Sequence, residues 1–81
     1  MKKSIWEEGY TKLRKELRKI RKQAGFTQKQ LSEKLNKPQS YVSKYEIGDR
    51  NPDFLEVIEI CVACDELPEV FIKKISRLVE T

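Results

Sequence analysis

Two short apolar segments on either side of a helix-breaking sequence constrain the fold of this chain more than any other feature. Leu31 and Leu35 lie four residues apart, and Val42 and Tyr45 lie three residues apart. Each spacing places the pair on one face of a helix. Asn-Lys-Pro at 36–38 interrupts the periodicity, and proline is preferred in the first turn of a helix. The pattern predicts two short helices joined by a tight turn, the second beginning at the proline.

Residues at the ends of these helices mark where they start and stop. Thr27 followed by Gln30 has the spacing of a capping box, in which both side chains bond backbone N–H groups at a helix start. Gly25 and Gly48 can adopt the left-handed conformation that ends a helix. A helix-turn-helix is therefore predicted over about residues 27–47.

One further helix is predicted on each side of this segment. Ser4 with Glu7 has the capping-box spacing, and the helix that follows carries a stripe predicted to be buried, consisting of Tyr10, Leu13, Leu17, Ile20 and Ala24. Asp53 with Glu56 has the same spacing. The apolar residues predicted for its helix are Phe54, Val57, Ile58, Cys61 and Cys64.

A last helix, over about residues 68–79, opens at Pro68 and is apolar on more than one side. Its apolar residues include Phe71, Ile72, Ile75, Leu78 and Val79. Two interpretations are open: the helix forms the surface of a homodimer, which we favour, or it folds entirely onto its own domain. In either case the chain is predicted to be all-α, with about five helices in a single domain over residues 1–81.

The composition argues against catalysis. The sequence contains no histidine, so the most frequent general base near neutral pH is missing. Cys61 and Cys64 are the only cysteines, and their spacing places both on the apolar face of a helix, where reduced core thiols are expected. A zinc site would lack two ligands, and the three glycines form no phosphate-binding loop. No enzyme activity, cofactor, metal or small-molecule ligand is predicted.

Basic residues are concentrated toward the N-terminus. Up to Lys29 there are ten Lys and Arg residues against three Glu, a net charge of +7, whereas residues 53–81 carry −4. A basic end suits a polyanionic partner and also fits a solvated helix surface, so charge alone leaves both interpretations open. No apolar run approaches the ~20 residues of a membrane span. We therefore expect a cytoplasmic protein without a membrane partner.

The helix-turn-helix segment matches a known pattern. From Gly25 to Pro52 it is GFTQKQLSEKLNKPQSYVSKYEIGDRNP, with a Thr-Gln start, two pairs of core residues and Tyr-Glu-x-Gly closing the second helix. These residues resemble the Cro and lambda-repressor-like (XRE) helix-turn-helix family. The resemblance extends back to Leu17 and forward to Ile60. It implies a lambda-repressor-like fold that binds double-stranded DNA.

In that family the first turn of the second helix of the pair enters the major groove. The resemblance therefore implies base contacts from Gln39, Ser40, Tyr41 and Lys44. The Gln39 amide can pair with adenine N6 and N7. Lys44 suits either guanine or a phosphate. Tyr41 suits either a sugar or thymine methyl, or a partly buried packing role, and these alternatives stay open.

Backbone contacts are implied for residues around the helix pair, namely Gln28, Lys37, Ser43, Arg50 and Asn51. Gln28 is expected at the first position of its helix, where free N–H groups favour an anion, and is also expected to support Gln39. Arg21 and Glu46 correspond to an ion pair that, in the family, ties the first helix to the third. The resemblance therefore implies a structural role for both.

Together with the predicted dimer surface, the resemblance implies a transcriptional regulator, repressor or activator, of the phage-repressor or restriction-modification-controller type. It would bind a pseudo-palindromic operator as a homodimer, with two recognition helices about 34 Å apart. The alternative is an antitoxin-like protein that holds another protein and regulates its own gene through the helix-turn-helix. A large exposed apolar patch on a monomer would favour that alternative.

Overall fold

A computed structural model describes residues 5–80, which form five helices and no strand. The helices are α1 (Ile5–Gln23), α2 (Gln28–Lys34), α3 (Tyr41–Ile47), α4 (Phe54–Ala63) and α5 (Pro68–Glu80). The prediction of an all-α chain with about five helices is confirmed. The capping box predicted at Ser4 lies outside the described residues.

The starts of α2 and α4 have the predicted capping boxes. The Thr27 hydroxyl accepts the Gln30 N–H at 3.0 Å, and the Gln30 side-chain oxygen accepts the Thr27 N–H at 2.9 Å. Asp53 and Glu56 exchange the same two bonds at 2.8 and 2.9 Å. These bonds satisfy N–H groups that have no partner within the helix. The start of each helix is therefore fixed by residues three positions apart.

The start of α3 differs from the prediction. The pattern predicts a helix beginning at Pro38, whereas α3 begins at Tyr41 with Ser40 as its N-cap. The residues between form a turn, closed by the Tyr41 N–H donating to the Pro38 carbonyl at 2.9 Å. The Val42 N–H then donates to the buried hydroxyl of Ser32 in α2 at 3.1 Å. Because α2 supplies this acceptor, α3 starts beside α2 and not at the proline.

An apolar core lies between the helices. α1 packs against α3 and α5, α2 packs against α3, and α4 packs against α5. The most deeply buried side chains include Leu17, Ile20, Leu31, Val42, Tyr45, Ile60, Cys61 and Phe71. Both helices of the helix-turn-helix therefore contribute to the same core, which holds them in a fixed relative position.

Two apolar residues of the predicted helices are exposed, one of them on a stripe predicted to be buried. Tyr10 is 38% exposed, although it lies on the same stripe of α1 as the buried Leu17. Phe54 is 66% exposed. The buried face of α4 is centred on Val57, Ile60 and Cys61, and Phe54 lies at the edge of that face. The apolar periodicity therefore predicted both helices correctly but did not predict the exposure of either side chain.

Cys61 and Cys64 are free thiols buried in the core, as expected. Burial raises the pKa of each thiol to about 11. Both therefore stay protonated at neutral pH and pack as small apolar groups. Within residues 5–80, no group of three or more His, Cys, Asp and Glu residues is arranged to hold a metal ion. In the same part of the chain, no helix is long and apolar enough to cross a membrane.

The structure of α5 corrects the predicted dimer surface at one residue, Phe71. Phe71 is fully buried in the core of its own chain, so it is not available to a second copy. Ile72 and Val79 are 39% and 50% exposed, and Ile75 and Leu78 are half-buried. An apolar groove of about 390 Å³ runs between α5, α1 and the start of α4, with walls that include Leu13, Phe54, Ile72, Ile75 and Val79.

Candidate nucleic-acid interface

The outer face of α3 is open to solvent. Ser40 is followed at spacings of three, four and seven residues by Ser43, Lys44 and Ile47, so the four share this face. We name these four residues the α3 ridge. Three of them are exposed and Ser43 is half-buried, whereas the opposite face of α3 is buried in the core. The helix is therefore anchored along one side and accessible along the other.

A shallow polar cleft brings together residues from α2, from α3 and from the turn before α3. Its volume is about 440 Å³, and it is lined by Gln28, Lys29, Gln39, Ser40 and Ser43. Gln39 and Ser40 are exposed, and Gln28 and Ser43 are half-buried. Four residues that the sequence predicted as DNA contacts, at positions 28, 39, 40 and 43, therefore surround one cleft.

An ion pair holds the inner side of α3. Arg21 Nε lies 2.7 Å from Glu46 Oε2, and a second guanidinium nitrogen lies 3.2 Å from Glu46 Oε1. Arg21 also donates to the Phe26 carbonyl at 2.8 Å, and Gln28 Nε2 donates to Glu46 at 2.9 Å. The two ionic side chains are only 8% and 4% exposed. One carboxylate thus ties both α1 and α2 to α3.

Tyr41 does not lie on the α3 ridge. It is 4% exposed, and its ring packs edge to face against Tyr45 with the ring centroids 5.5 Å apart. Its hydroxyl lies near the Glu56 carboxylate. Burial raises the pKa of the Tyr41 phenol far above its usual range, so the ring stays neutral. The base contact predicted for Tyr41 is therefore corrected to a packing role.

Glu56 binds cations from the two connections that flank α3. Arg50 donates to the Glu56 carboxylate at 2.6 Å, and the Lys37 ammonium lies 3.9 Å from it. The same cations lie over the Tyr41 ring, 5.0 and 5.4 Å from its centroid. The hydrogen bond from the Asp53 backbone N–H lowers the pKa of Glu56 most, and the Tyr41 hydroxyl and the two cations lower it further. Glu56 therefore stays ionised and orients both cations.

Two comparisons with known proteins agree with this arrangement. The profile of the helix-turn-helix family matches residues 17–71, more than half of the chain. The chain belongs to the XRE family of helix-turn-helix proteins. A solved structure, an XRE-family like protein from Pseudomonas syringae pv. tomato str. DC3000, is similar at a TM-score of 0.85 and 34% identity, over 91% of this chain and 90% of that one. A comparison with curated proteins yields no match.

Membership of the XRE family makes this chain a DNA-binding helix-turn-helix regulator, and the family is generally not one of enzymes. The matched residues run from Leu17 in α1 to Phe71 in α5. They include the whole α3 ridge, the cleft beside it and both flanking connections. Every residue that the sequence predicted to contact DNA therefore lies within the XRE-family region.

Two contacts and one exposed side chain in or beside this interface are not predicted by the sequence. Ser32 joins α2 to α3 through a buried hydroxyl, and the only local signal is a small polar residue directly after the core residue Leu31. The sequence predicts only the capping role of Glu56. No pattern in the neighbouring residues indicates that its second carboxylate oxygen accepts a hydrogen bond from Arg50. Ile47 is 68% exposed. The sequence could have indicated this exposure, because Ile47 is an apolar residue that does not lie on the predicted buried face of its helix.

Proposed function

We propose that the chain is a sequence-specific transcriptional regulator that binds double-stranded DNA through the α3 ridge and the adjoining cleft. Gln39, Ser40 and Lys44 contact base edges in the major groove, and the Gln39 amide pairs with an adenine. The observation that carries the proposal is that these side chains are exposed beside a helix whose other face is buried. A ridge held in this way can enter a groove without rearranging the core.

The proposed backbone contacts lie on the ridge and on both sides of it. Gln28 and Ser43 line the cleft, Lys37 precedes α3, and Arg50 and Asn51 follow it. Side chains on both sides of a helix in the groove can contact the two sugar-phosphate backbones, which positions the protein without specifying sequence. The Lys37 and Arg50 side chains are 33% and 48% exposed, which leaves part of each cation accessible to a phosphate oxygen.

The proposed regulator is a cytoplasmic homodimer on a pseudo-palindromic operator. The apolar groove along α5 supports this part of the proposal, because Phe54, Ile72 and Val79 expose apolar surface along it. Ile75 and Leu78 complete the proposed interface. The buried Phe71 lines the groove from the core side and does not contact the second copy. A symmetric pair places the two α3 helices about 34 Å apart, one turn of DNA.

Selection from a random duplex library at low salt tests base recognition. The unaltered chain should enrich a pseudo-palindrome. Gln39→Ala should lose preference at one or two base pairs of each half-site, because a bidentate contact contributes about 1–3 kcal/mol of discrimination. Lys73→Ala, exposed on α5, is the matched control and should keep the full preference. Failure of the unaltered chain to enrich any sequence, or an unchanged preference in Gln39→Ala, contradicts the proposal.

Light scattering during size exclusion tests the homodimer. The expected mass is twice that of one chain. A stable monomer would contradict the homodimer, and the exposed groove on that monomer would then favour the antitoxin-like alternative, in which the groove holds another protein.

A further inference from the structure

Ile47 is an apolar side chain on an otherwise polar ridge. It is the last residue of α3 and is 68% exposed. It lies three residues after Lys44 and four after Ser43, so it shares their face. The fully buried Tyr45 belongs to the opposite face. Ile47 is therefore exposed because of the face it occupies, and not because the core around it is incomplete.

Ile47 is also separate from the other exposed apolar surface. Within the described part of the chain, the other large apolar residues with high exposure lie on α1, α4 and α5 or directly before α5, and they are Tyr10, Phe54, Leu55, Val62, Leu67, Val70, Ile72 and Val79. The proposed dimer groove does not include Ile47. Single exposed apolar residues are common on protein surfaces, so exposure alone identifies no contact. What distinguishes Ile47 is that its neighbours on the ridge are the proposed DNA contacts.

We propose that Ile47 specifies a thymine by packing against its C5-methyl group in the major groove. This inference rests on the proposed function. Thymine is the base that presents a methyl group on the major-groove edge, so an aliphatic side chain there discriminates in its favour. Ser40 and Ile47 are seven residues apart in the chain, or about 10 Å along a helix axis. Ile47 therefore specifies a T·A pair beyond the pair that Lys44 contacts, toward the C-terminal end of α3.

Replacing one thymine at a time by deoxyuridine in the selected duplex tests this inference, because the change removes only the methyl group. For the unaltered chain, deoxyuridine at the position assigned to Ile47 should weaken binding about fourfold, the equivalent of ~0.8 kcal/mol for one buried methyl or methylene group. Ile47→Ala should bind the thymine and deoxyuridine duplexes equally at that position. Its folding should be unaffected, since the side chain is exposed and alanine favours helix.

Val62→Ala is the matched control, because Val62 is 61% exposed on α4 and lies away from the ridge. That variant should keep the fourfold sensitivity at the same position. The inference about Ile47 is overturned on its own if the unaltered chain binds DNA but shows the same deoxyuridine profile as Ile47→Ala. Absence of DNA binding by the unaltered chain at low salt overturns both the proposed function and this inference.

Discussion

Two Arg–Glu pairs of nearly equal length have different surroundings. Arg21 and Glu46 lie 2.7 Å apart with side chains 8% and 4% exposed, whereas Arg50 and Glu56 lie 2.6 Å apart with side chains 48% and 10% exposed. A buried pair fixes the orientation of its helices, because either partner alone would be a costly unpaired charge. A half-exposed cation can exchange its partner at little cost. Burial, and not distance, therefore distinguishes the Arg21–Glu46 pair, which stabilises the fold, from the Arg50–Glu56 pair, whose cation can bind DNA.

Removing the Glu46 carboxylate should have the largest effect and is the strongest test of this contrast. In Glu46→Ala the buried Arg21 guanidinium keeps the Phe26 carbonyl as a hydrogen-bond acceptor but loses its carboxylate partner. The Gln28 side-chain amide also loses the acceptor to which it donates. Breaking a buried ion pair costs about 3–5 kcal/mol, a large part of the roughly 5–15 kcal/mol that stabilises a small domain. Denaturant unfolding measures the loss. Glu59→Ala, exposed on α4, is the control and should stay within about 0.5 kcal/mol of the unaltered chain.

Glu56→Gln should have a smaller and pH-dependent effect. The pKa of Glu56 is lowered in the folded chain, so its charge stabilises the fold above the unfolded pKa of about 4.3, and that stabilisation is lost as pH falls through the folded pKa. The glutamine side chain of the variant can still accept the Asp53 N–H, but the charged bond to Arg50 is lost. The loss in unfolding free energy should be about 1–2 kcal/mol at pH 7 and should shrink at pH 3. If the difference in unfolding free energy between Glu56→Gln and the unaltered chain does not change with pH, the charge of Glu56 is not its cause.

Arg50→Ala should change stability least, by about 0.2–1 kcal/mol, because the guanidinium is half exposed and has one carboxylate partner. Its main effect should be on DNA. Loss of one phosphate contact lowers the slope of log affinity against log salt by about 0.9, equally for all sequences. Arg77→Ala on α5 should leave the slope unchanged. An unchanged slope in Arg50→Ala would mean that Glu56 retains this cation when DNA binds.

Features set by residues close in the chain could be predicted from the sequence. Both capping boxes involve partners three residues apart, and a side chain and a backbone N–H at that spacing meet wherever a helix begins. Gly25 and Gly48 adopt positive φ values of 82° and 92°, as their positions after helices predict. The family resemblance also predicted one contact between distant residues, that of Arg21 with Glu46, which are 25 residues apart.

Features set by distant partners could not be predicted. Tyr41 is polar at one end and apolar in its ring, so its sequence position fits either a groove contact or packing. Its burial depends on how α3 packs against α1 and α2, which are distant in the chain. The start of α3 depends on the Ser32 hydroxyl, which a proline pattern does not reveal. For α5, an apolar residue count cannot separate the buried Phe71 from the exposed Ile72 beside it. Each of these outcomes depends on which helix packs on which face.

Gly48 bears on any effort to engineer the specificity of this scaffold. It ends α3 with a φ of 92°, and a Cβ at this position would lie 3.1 Å from Arg14 Cζ in α1. A side chain there would strain the backbone and displace that guanidinium. A combinatorial library can randomise the exposed positions 39, 40, 44 and 47 without changing the buried face of α3. Position 48 should be kept invariant, since it sets where the variable helix stops.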